Sequence, residues 1–223
     1  MISHLQSDGQ HLNPEHPGSC TRFILERFGT QAITLVNFGM SQLQLGFDFW
    51  KRQGVFRHID VLQFNLREAK LFFSDNLDAR RPLPSIVDTL RREHLTAIIT
   101  LDRFGALGVH RALTDSVIIA WPAVEGFDVK DPTGAGDAFA AGVMSYLCEH
   151  DRVTPGAFQS AIEIGRIWAG RACSSMGAVG ECPSQVDLRE FTRSLEIDRR
   201  RATEVRIPHH AREIISLLDI AFQ

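Results

Sequence analysis

Strands alternating with helices predict an α/β fold: a doubly wound, mostly parallel sheet with helices on both faces. Three observations carry this. Short β-branched or apolar runs recur at Ala32–Val36, Asp60–Phe64, Ala97–Leu101 and Val117–Trp121. Segments with apolar residues at helical spacing separate and follow them. The chain has 223 residues, 44% hydrophobic and 23% charged, which is enough material for a buried core.

Residues 1–18 are polar, with turn signals at Asn13-Pro14 and Pro17-Gly18, and read as irregular. Phe23, Ile24 and Phe28 have helical spacing that ends at Gly29, a residue suited to a C-cap. Ala32–Val36 reads as a buried strand. The stretch 39–57 stays open: Leu43, Leu45, Phe47 and Phe49 alternate as in a strand, yet a short helix after a loop fits equally. Asp60–Phe64 reads as a strand and Leu66–Phe73 as a helix. Ser85–His94 reads as a second helix, with Ile86, Val87 and Leu90 on one face. Ala97–Leu101 is a strand, Gly105 and Gly108 punctuate a hairpin-like return through Val109, and Val117–Trp121 is a further strand. Helices are expected over Gly134–Leu147, Ala157–Ala172 and Pro183–Leu195, the last with Ser184 as N-cap. Residues 196–223 read as a mixed-charge tail with a short helix, where Ile214, Leu217, Leu218 and Phe222 have helical spacing. The expected organisation is therefore a segment 1–30, a domain 31–195 and a tail 196–223.

Charge and composition exclude several classes. With 24 basic and 27 acidic residues the net charge is −3, unsuited to general nucleic-acid binding through phosphate neutralisation. No apolar run approaches the roughly 20 residues of a membrane span; Val117–Val124 is strand-sized and broken by Pro122. The N-terminus has no apolar core of a signal peptide. Cys20, Cys148, Cys173 and Cys182 show no CxxC spacing, so free thiols in a reducing cytoplasm are expected rather than disulfides or a zinc site.

The segment Asp131–Met144, DPTGAGDAFAAGVM, carries the chemistry. Gly134, Ala135 and Gly136 stand just before or at a helix start, where small residues let a ligand approach the backbone. Unpaired N–H groups and the positive dipole end there suit phosphate oxygens. Asp137 falls in the first helical turn, where a carboxylate can take a proton from a hydroxyl while the amides hold a transferring phosphoryl group. The plainer reading is a tight turn with Asp137 decorating the helix start. No Walker A loop is present, because no Lys-Ser/Thr pair follows a GxxxxG.

The whole segment resembles the second signature of the ribokinase-like (PfkB) carbohydrate kinase family. Asn65-Leu66-Arg67-Glu68 is similar to that family's NxxE motif at a strand end. Thr100–Gly105 (TLDRFG) is similar to its TLGxxG nucleotide segment, and Gly177-Ala178 before Pro183 to its GA…P segment. These blocks stand in family order over roughly residues 30–192. The resemblance implies a three-layer α/β/α sandwich that transfers the γ-phosphoryl group of ATP to a hydroxyl of a sugar, nucleoside or related small polyol. Asp137 would be the base, and Gly134, Ala135 and Gly136 the anion-hole amides. Asn65 and Glu68 would place Mg²⁺ through water; their plainer roles are an N-cap and a first-turn acid. Thr100, Asp102, Gly105, Arg166 and Gly177 would border the nucleotide. Asp131 and Thr133 correspond to positions that hold a monovalent cation such as K⁺ in some members.

The sequence also departs from the family. NxxE already stands at residue 65, and residues 1–30 show no GGxxxN first signature. The resemblance thus implies a domain without the N-terminal strands and lid that recognise substrate and through which members dimerise, and it leaves a homodimer open. Asp102 replaces the usual Gly and either points to solvent or pairs with Arg103. Arg166 replaces an Asn near adenine, where a guanidinium stacks on a base or obstructs the pocket. These departures support an alternative: a nucleotide-binding pseudokinase or interaction module without turnover.

Overall fold

The computed structural model describes residues 2–3, 27, 32–74, 81–120, 128–150, 152–177, 190, 203–206 and 215–216. Among these, seven strands form one sheet in sequential order. They are β1 Ile2–Ser3, β2 Leu35–Asn37, β3 Val61–Asn65, β4 Ala97–Thr100, β5 Ala106–Val109, β6 Ser116–Ala120 and β7 Thr203–Arg206. The pairings from β1 to β4 are parallel and those from β4 to β7 antiparallel. Strands β1, β2, β3, β4 and β6 therefore point one way, and β5 and β7 the other.

Alternate side chains of each strand serve opposite faces. Leu62, Phe64, Ile99, Leu107, Val117 and Ile119 enter one core cluster, while Val61, Ile98, Ala106, Ile118 and Ala120 enter the other. The first face is covered by α1 Met40–Gln44, α2 Gly46–Arg52, α3 Leu66–Phe72 and α4 Leu83–Arg92. The second is covered by α5 Ala135–Glu149 and α6 Pro155–Cys173. The result is a sheet with helices on both faces, as the alternation of elements predicts, and the three-layer α/β/α sandwich that the family resemblance implies.

The stretch 39–57, open between strand and helix, is helical. Phe47 and Trp50, three residues apart, both turn inward from α2. They join an aromatic core in which the Phe38 and Phe72 rings lie 4.9 Å apart and the Phe64 and Phe72 rings 5.1 Å apart. The buried Trp50 indole N–H donates to the Gln42 carbonyl at 2.9 Å, so its polar edge is satisfied.

Several boundaries differ from expectation for local reasons. Strand β2 starts at Leu35 because the Thr34 N–H donates to the Asp60 carboxylate at 2.9 Å and its hydroxyl to the His58 carbonyl at 2.8 Å. Helix α4 starts at Leu83, with Pro84 in its first turn, where a missing N–H costs nothing. Helix α6 starts at Pro155 behind Thr154, whose hydroxyl accepts the Ala157 N–H at 3.2 Å. Strands β1 and β7 arise in segments read as irregular and as tail, and Ile215 is 1% exposed in the first core. Of the helices expected around Phe23–Phe28 and over Pro183–Leu195, only Arg27 and Glu190 are described, and both are helical. Ser184 and Trp121 lie outside the described residues.

Glycines set the depth of the second helical layer. A Cβ on Gly142 of α5 would sit 2.9 Å from the Gly165 Cα, and one on Gly165 of α6 would sit 2.8 Å from the Phe139 carbonyl oxygen. The two helices thus touch backbone to backbone. Gly108 of β5 leaves comparable room, since a Cβ there would lie 2.5 Å from Ile162 Cδ1. This packing fixes where α5 begins, and with it the segment Gly134–Asp137.

Candidate active site

Strands β3 and β4 end side by side, with Asn65 in register with Thr100. The carboxyl ends of parallel strands are where open α/β sheets bind ligands. Asn65 leaves the strand as the N-cap of α3 and forms a reciprocal box with Glu68. The Asn65 N–H donates to Glu68 Oε2, and the Glu68 N–H donates to Asn65 Oδ1, both at 2.8 Å. The structural roles open to this pair are thus realised, and the box fixes both side chains at this edge of the sheet.

Helix α5 starts at the same edge. Gly134, its N-cap, has φ 82° and ψ −3°, a left-handed conformation that glycine adopts without strain. The Ala135 N–H closes a turn onto the Pro132 carbonyl at 3.1 Å, and the Ala138 N–H makes the first helical bond, to the Gly134 carbonyl at 2.9 Å. Of the three amides expected to form the anion hole, that of Ala135 is therefore engaged in the turn. The Gly136 and Asp137 amides lie in the first turn, where helix geometry offers no carbonyl partner. Gly136 has no left-handed φ, and a Cβ there would meet nothing within 4 Å. Neither backbone strain nor packing requires a glycine at that position. Asp137 is exposed in the same turn.

Gln63 joins these two parts, and the sequence reading missed it. It is 2% exposed on β3, and its Nε2 donates to the Gly136 carbonyl at 3.1 Å. The first turn of α5 is thereby tied to β3 two residues before Asn65. The signal was a lone amide in the otherwise apolar run Val61–Phe64.

The segment before α5 is stitched to the end of α6. The Lys130 and Asp131 N–H groups both donate to the Cys173 carbonyl, at 2.8 and 3.1 Å. The Asp131 carboxylate accepts the Thr133 N–H at 2.9 Å and the Gly177 N–H at 3.0 Å. Hydrogen bonds from the Thr133 side chain and backbone, then from Gly177, hold its carboxyl below the usual range. Asp131 thus draws Gly177 to the loop that precedes Gly134–Asp137.

The segment after β4 explains one departure from the family pattern. The Thr100 hydroxyl donates to the Phe64 carbonyl at 3.4 Å, and the Leu101 N–H closes onto the Gly105 carbonyl at 2.8 Å. Between them Asp102 has φ 53° and Gly105 has φ 95°. The backbone keeps a glycine-favouring conformation at 102, which Asp tolerates better than most residues, at a cost of about 1 kcal/mol. Asp102 is exposed, and Arg103 lies over its neighbour Phe104, 5.0 Å from the ring centre. Burial raises the pKa of Cys173, and the negative charges of Asp102 and Asp131 raise it further. The thiol is free, as expected, and half-buried.

Arg166 lies on α6. Its Nε and Nη2 donate to Glu163 Oε2 at 2.9 and 2.6 Å, and only 14% and 6% of the two side chains is exposed. The guanidinium is thus paired one turn back along α6, and Arg166 stands about 10 Å along that helix from Cys173. Ala178 and Pro183 lie outside the described residues. Among the described residues, no helix is long and apolar enough to cross a membrane.

A three-layer sandwich with a glycine-rich helix start at the strand-end edge of its sheet is the architecture of an α/β phosphate-binding fold. Residues 49–184 match the pfkB family carbohydrate kinase, and the chain belongs to that family. Solved structures agree on the ribokinase-like fold. Aminoimidazole riboside kinase from Salmonella enterica, complexed with aminoimidazole riboside and an ATP analogue, is 21% identical, with a TM-score of 0.60 over 84% of this chain and 61% of that one. Ribokinase from Thermotoga maritima is 19% identical, with a TM-score of 0.59 over 81% and 55%. Fructokinase from Vibrio cholerae O395, bound to fructose, ADP and calcium, is 21% identical, with a TM-score of 0.57 over 84% and 59%. The chain thus spans 55–61% of the length of these kinases. The comparison with curated proteins gives no match.

Proposed function

We propose that this chain is the phosphoryl-handling part of an ATP-dependent phosphotransferase acting on a hydroxyl of a sugar, nucleoside or related small polyol. The observation that carries this reading is Gly136, whose missing side chain leaves open space at a helix N-terminus that the Gln63 bond ties to β3, the strand ending at Asn65. The Gly136 and Asp137 amides face anionic oxygens, with the Gln63 amide anchoring the shared peptide from below. Asp137 takes the proton from the acceptor hydroxyl as the phosphoryl group arrives. The Thr100–Gly105 segment and Gly177 border the nucleotide.

The donor set suits Mg²⁺ held through water. Among the described residues no group of three or more His, Cys, Asp or Glu could hold a metal ion. Mg²⁺ needs no such cage, because it binds through one or two carboxylates, waters and substrate phosphates. Glu68, fixed by its capping box, is the carboxylate in reach of that role. The bound metal supplies charge neutralisation of the transferring group. Asp131 already accepts two backbone N–H groups, which favours a clamp over the monovalent-cation role.

Gly136→Ala tests the reading. The added methyl meets no protein atom, so the fold is retained while ligand space is filled. The variant should keep its unfolding midpoint and lose at least tenfold in affinity for a non-hydrolysable ATP analogue. Unchanged affinity would place the phosphates elsewhere. A second reading, a nucleotide-binding module without turnover, draws support from Asp102, whose charge joins that of Asp131 beside the nucleotide segment. It predicts the same binding result with no phosphorylated product.

A further inference from the structure

The opposite end of the sheet holds a polar cavity that phosphoryl transfer does not use. Strand β5 runs against β4, with Val109 beside Ala97, so the turn after β5 lies where β4 begins. Between this turn and the last turns of α4 lies a cavity of about 270 Å³, whose polar lining is Asp88, Arg91, Arg92, His110, Arg111 and Thr114. We propose that this cavity binds a small dianion of the phosphate or phosphomonoester class.

Charge is the first argument. Three arginines line the cavity and Asp88 is the one carboxylate among its lining residues, while Glu93 stands outside that lining at 3.8 Å from Arg92 Nε. The second is unmet hydrogen-bonding capacity. Arg91 Nε is buried without a partner, and a buried unpaired donor points to an ion or water that belongs there. The Arg91 Nη groups stand 3.8 Å from Asp88 and 3.7 Å from Asp115, and Arg111 Nη2 stands 3.6 Å from Asp60. These are ion-pair distances, too long for hydrogen bonds. Planar guanidinium forks match phosphate oxygens in pairs.

The third argument is preorganisation. His110 is 3% exposed, and its Nδ1 accepts the Ala112 N–H at 3.1 Å, so its proton sits on Nε2 and is donated to the Val153 carbonyl at 2.9 Å. Burial lowers its pKa, the nearby Arg111 lowers it further, and the Val153 bond opposes both. The neutral ring is thus a brace. The turn also closes through the Leu113 N–H to the His110 carbonyl at 2.8 Å, and the Arg111 N–H donates to the Thr96 hydroxyl at 3.2 Å. Arg91 and Arg92 lie in the last turn of α4, where cations offset the helix dipole. That role does not account for Arg111 or for the orphaned Nε. The volume falls below the roughly 300 Å³ at which drug-sized pockets begin, which fits a small anion.

The test is a titration of the ¹⁵N-labelled full chain with inorganic phosphate, and separately with glycerol 3-phosphate, followed by amide shifts at ionic strength held constant with sodium chloride. Saturating shifts at residues 111–114 are expected. Arg91→Gln and the half-exposed Arg111→Gln should each weaken binding at least tenfold with the rest of the spectrum unchanged. Asp88→Asn should tighten it at least twofold. Equal affinity for both probes would identify a phosphomonoester site, and preference for phosphate a free-ion site. Shifts confined to residues 134–137, shifts reproduced by chloride alone, or equal affinity in the Arg variants would overturn the proposal.

Discussion

A methyl group on Gly165 probes how the fold sets the site. Its Cβ would lie 2.8 Å from the Phe139 carbonyl oxygen and 2.8 Å from Val143 Cγ2, so α5 must move away from α6. Overpacking of this kind costs about 1–3 kcal/mol. The clash involves backbone that cannot swing aside, which places the cost at about 2–3 kcal/mol. Replacing a helical glycine by alanine returns about 1 kcal/mol. Gly165→Ala should therefore lose about 1–2 kcal/mol, seen as a fall of about 2–8 °C in Tm for a chain of this size. Gly156→Ala is the control in the same helix: nothing lies within 4 Å of its Cβ, so it should match or slightly exceed wild-type stability. Because Phe139 stands two residues after Asp137, the Gly165 variant should also weaken nucleotide binding. Urea unfolding of both variants decides the matter. A Gly165→Ala protein as stable as wild type would refute the close backbone contact between α5 and α6.

Two further predictions separate structural from chemical roles at the edge of the sheet. Asn65→Ala removes the capping acceptor and should cost about 1 kcal/mol in urea unfolding. Glu68→Gln can still close the box, so it should keep stability while lowering Mg²⁺-dependent nucleotide affinity. Asp131 has a carboxyl pKa lowered by hydrogen bonds, from an ordinary value of 3.8. Its stabilisation is present above that value and is lost as pH falls through the lower folded value. Unfolding midpoints below about pH 5 should therefore fall more steeply in wild type than in Asp131→Asn.

What was legible in the sequence followed from local pattern. Strands β3, β4 and β6 are short apolar runs because helices cover both of their faces, and such runs announce themselves. The Asn65–Glu68 capping box was visible as a spacing, as was the glycine-rich start of α5. Strands β1 and β7 were not visible, because Ile2 pairs with Val36 and Arg206 with Ser116 across long stretches of chain that no local period records. Phe47 and Phe49 imitate a strand, but the buried pair is Phe47 and Trp50, an interval that only a helix brings to one face. Asp102 read as a chemical oddity; its φ of 53° lies in the left-handed region that glycine adopts without strain, which no local pattern discloses. Gln63 acquires its meaning only when α5 folds onto β3, since its partner lies 73 residues away. Arg166 read as a residue bordering a nucleotide; its ion pair with the buried Glu163, one turn earlier, depends on a spacing the sequence shows but on a burial it does not.

The most direct measurement of the central claim is ADP release from Mg-ATP with a pooled panel of sugars and nucleosides, run beside Asp137→Asn. The account predicts release that depends on an acceptor and falls about 10²–10⁴-fold in the variant, the usual contribution of a positioned base. Acceptor-dependent release at equal rates in both proteins would contradict Asp137 as the base. Nucleotide binding without release in either protein would contradict turnover by this chain and leave the binding module as its function.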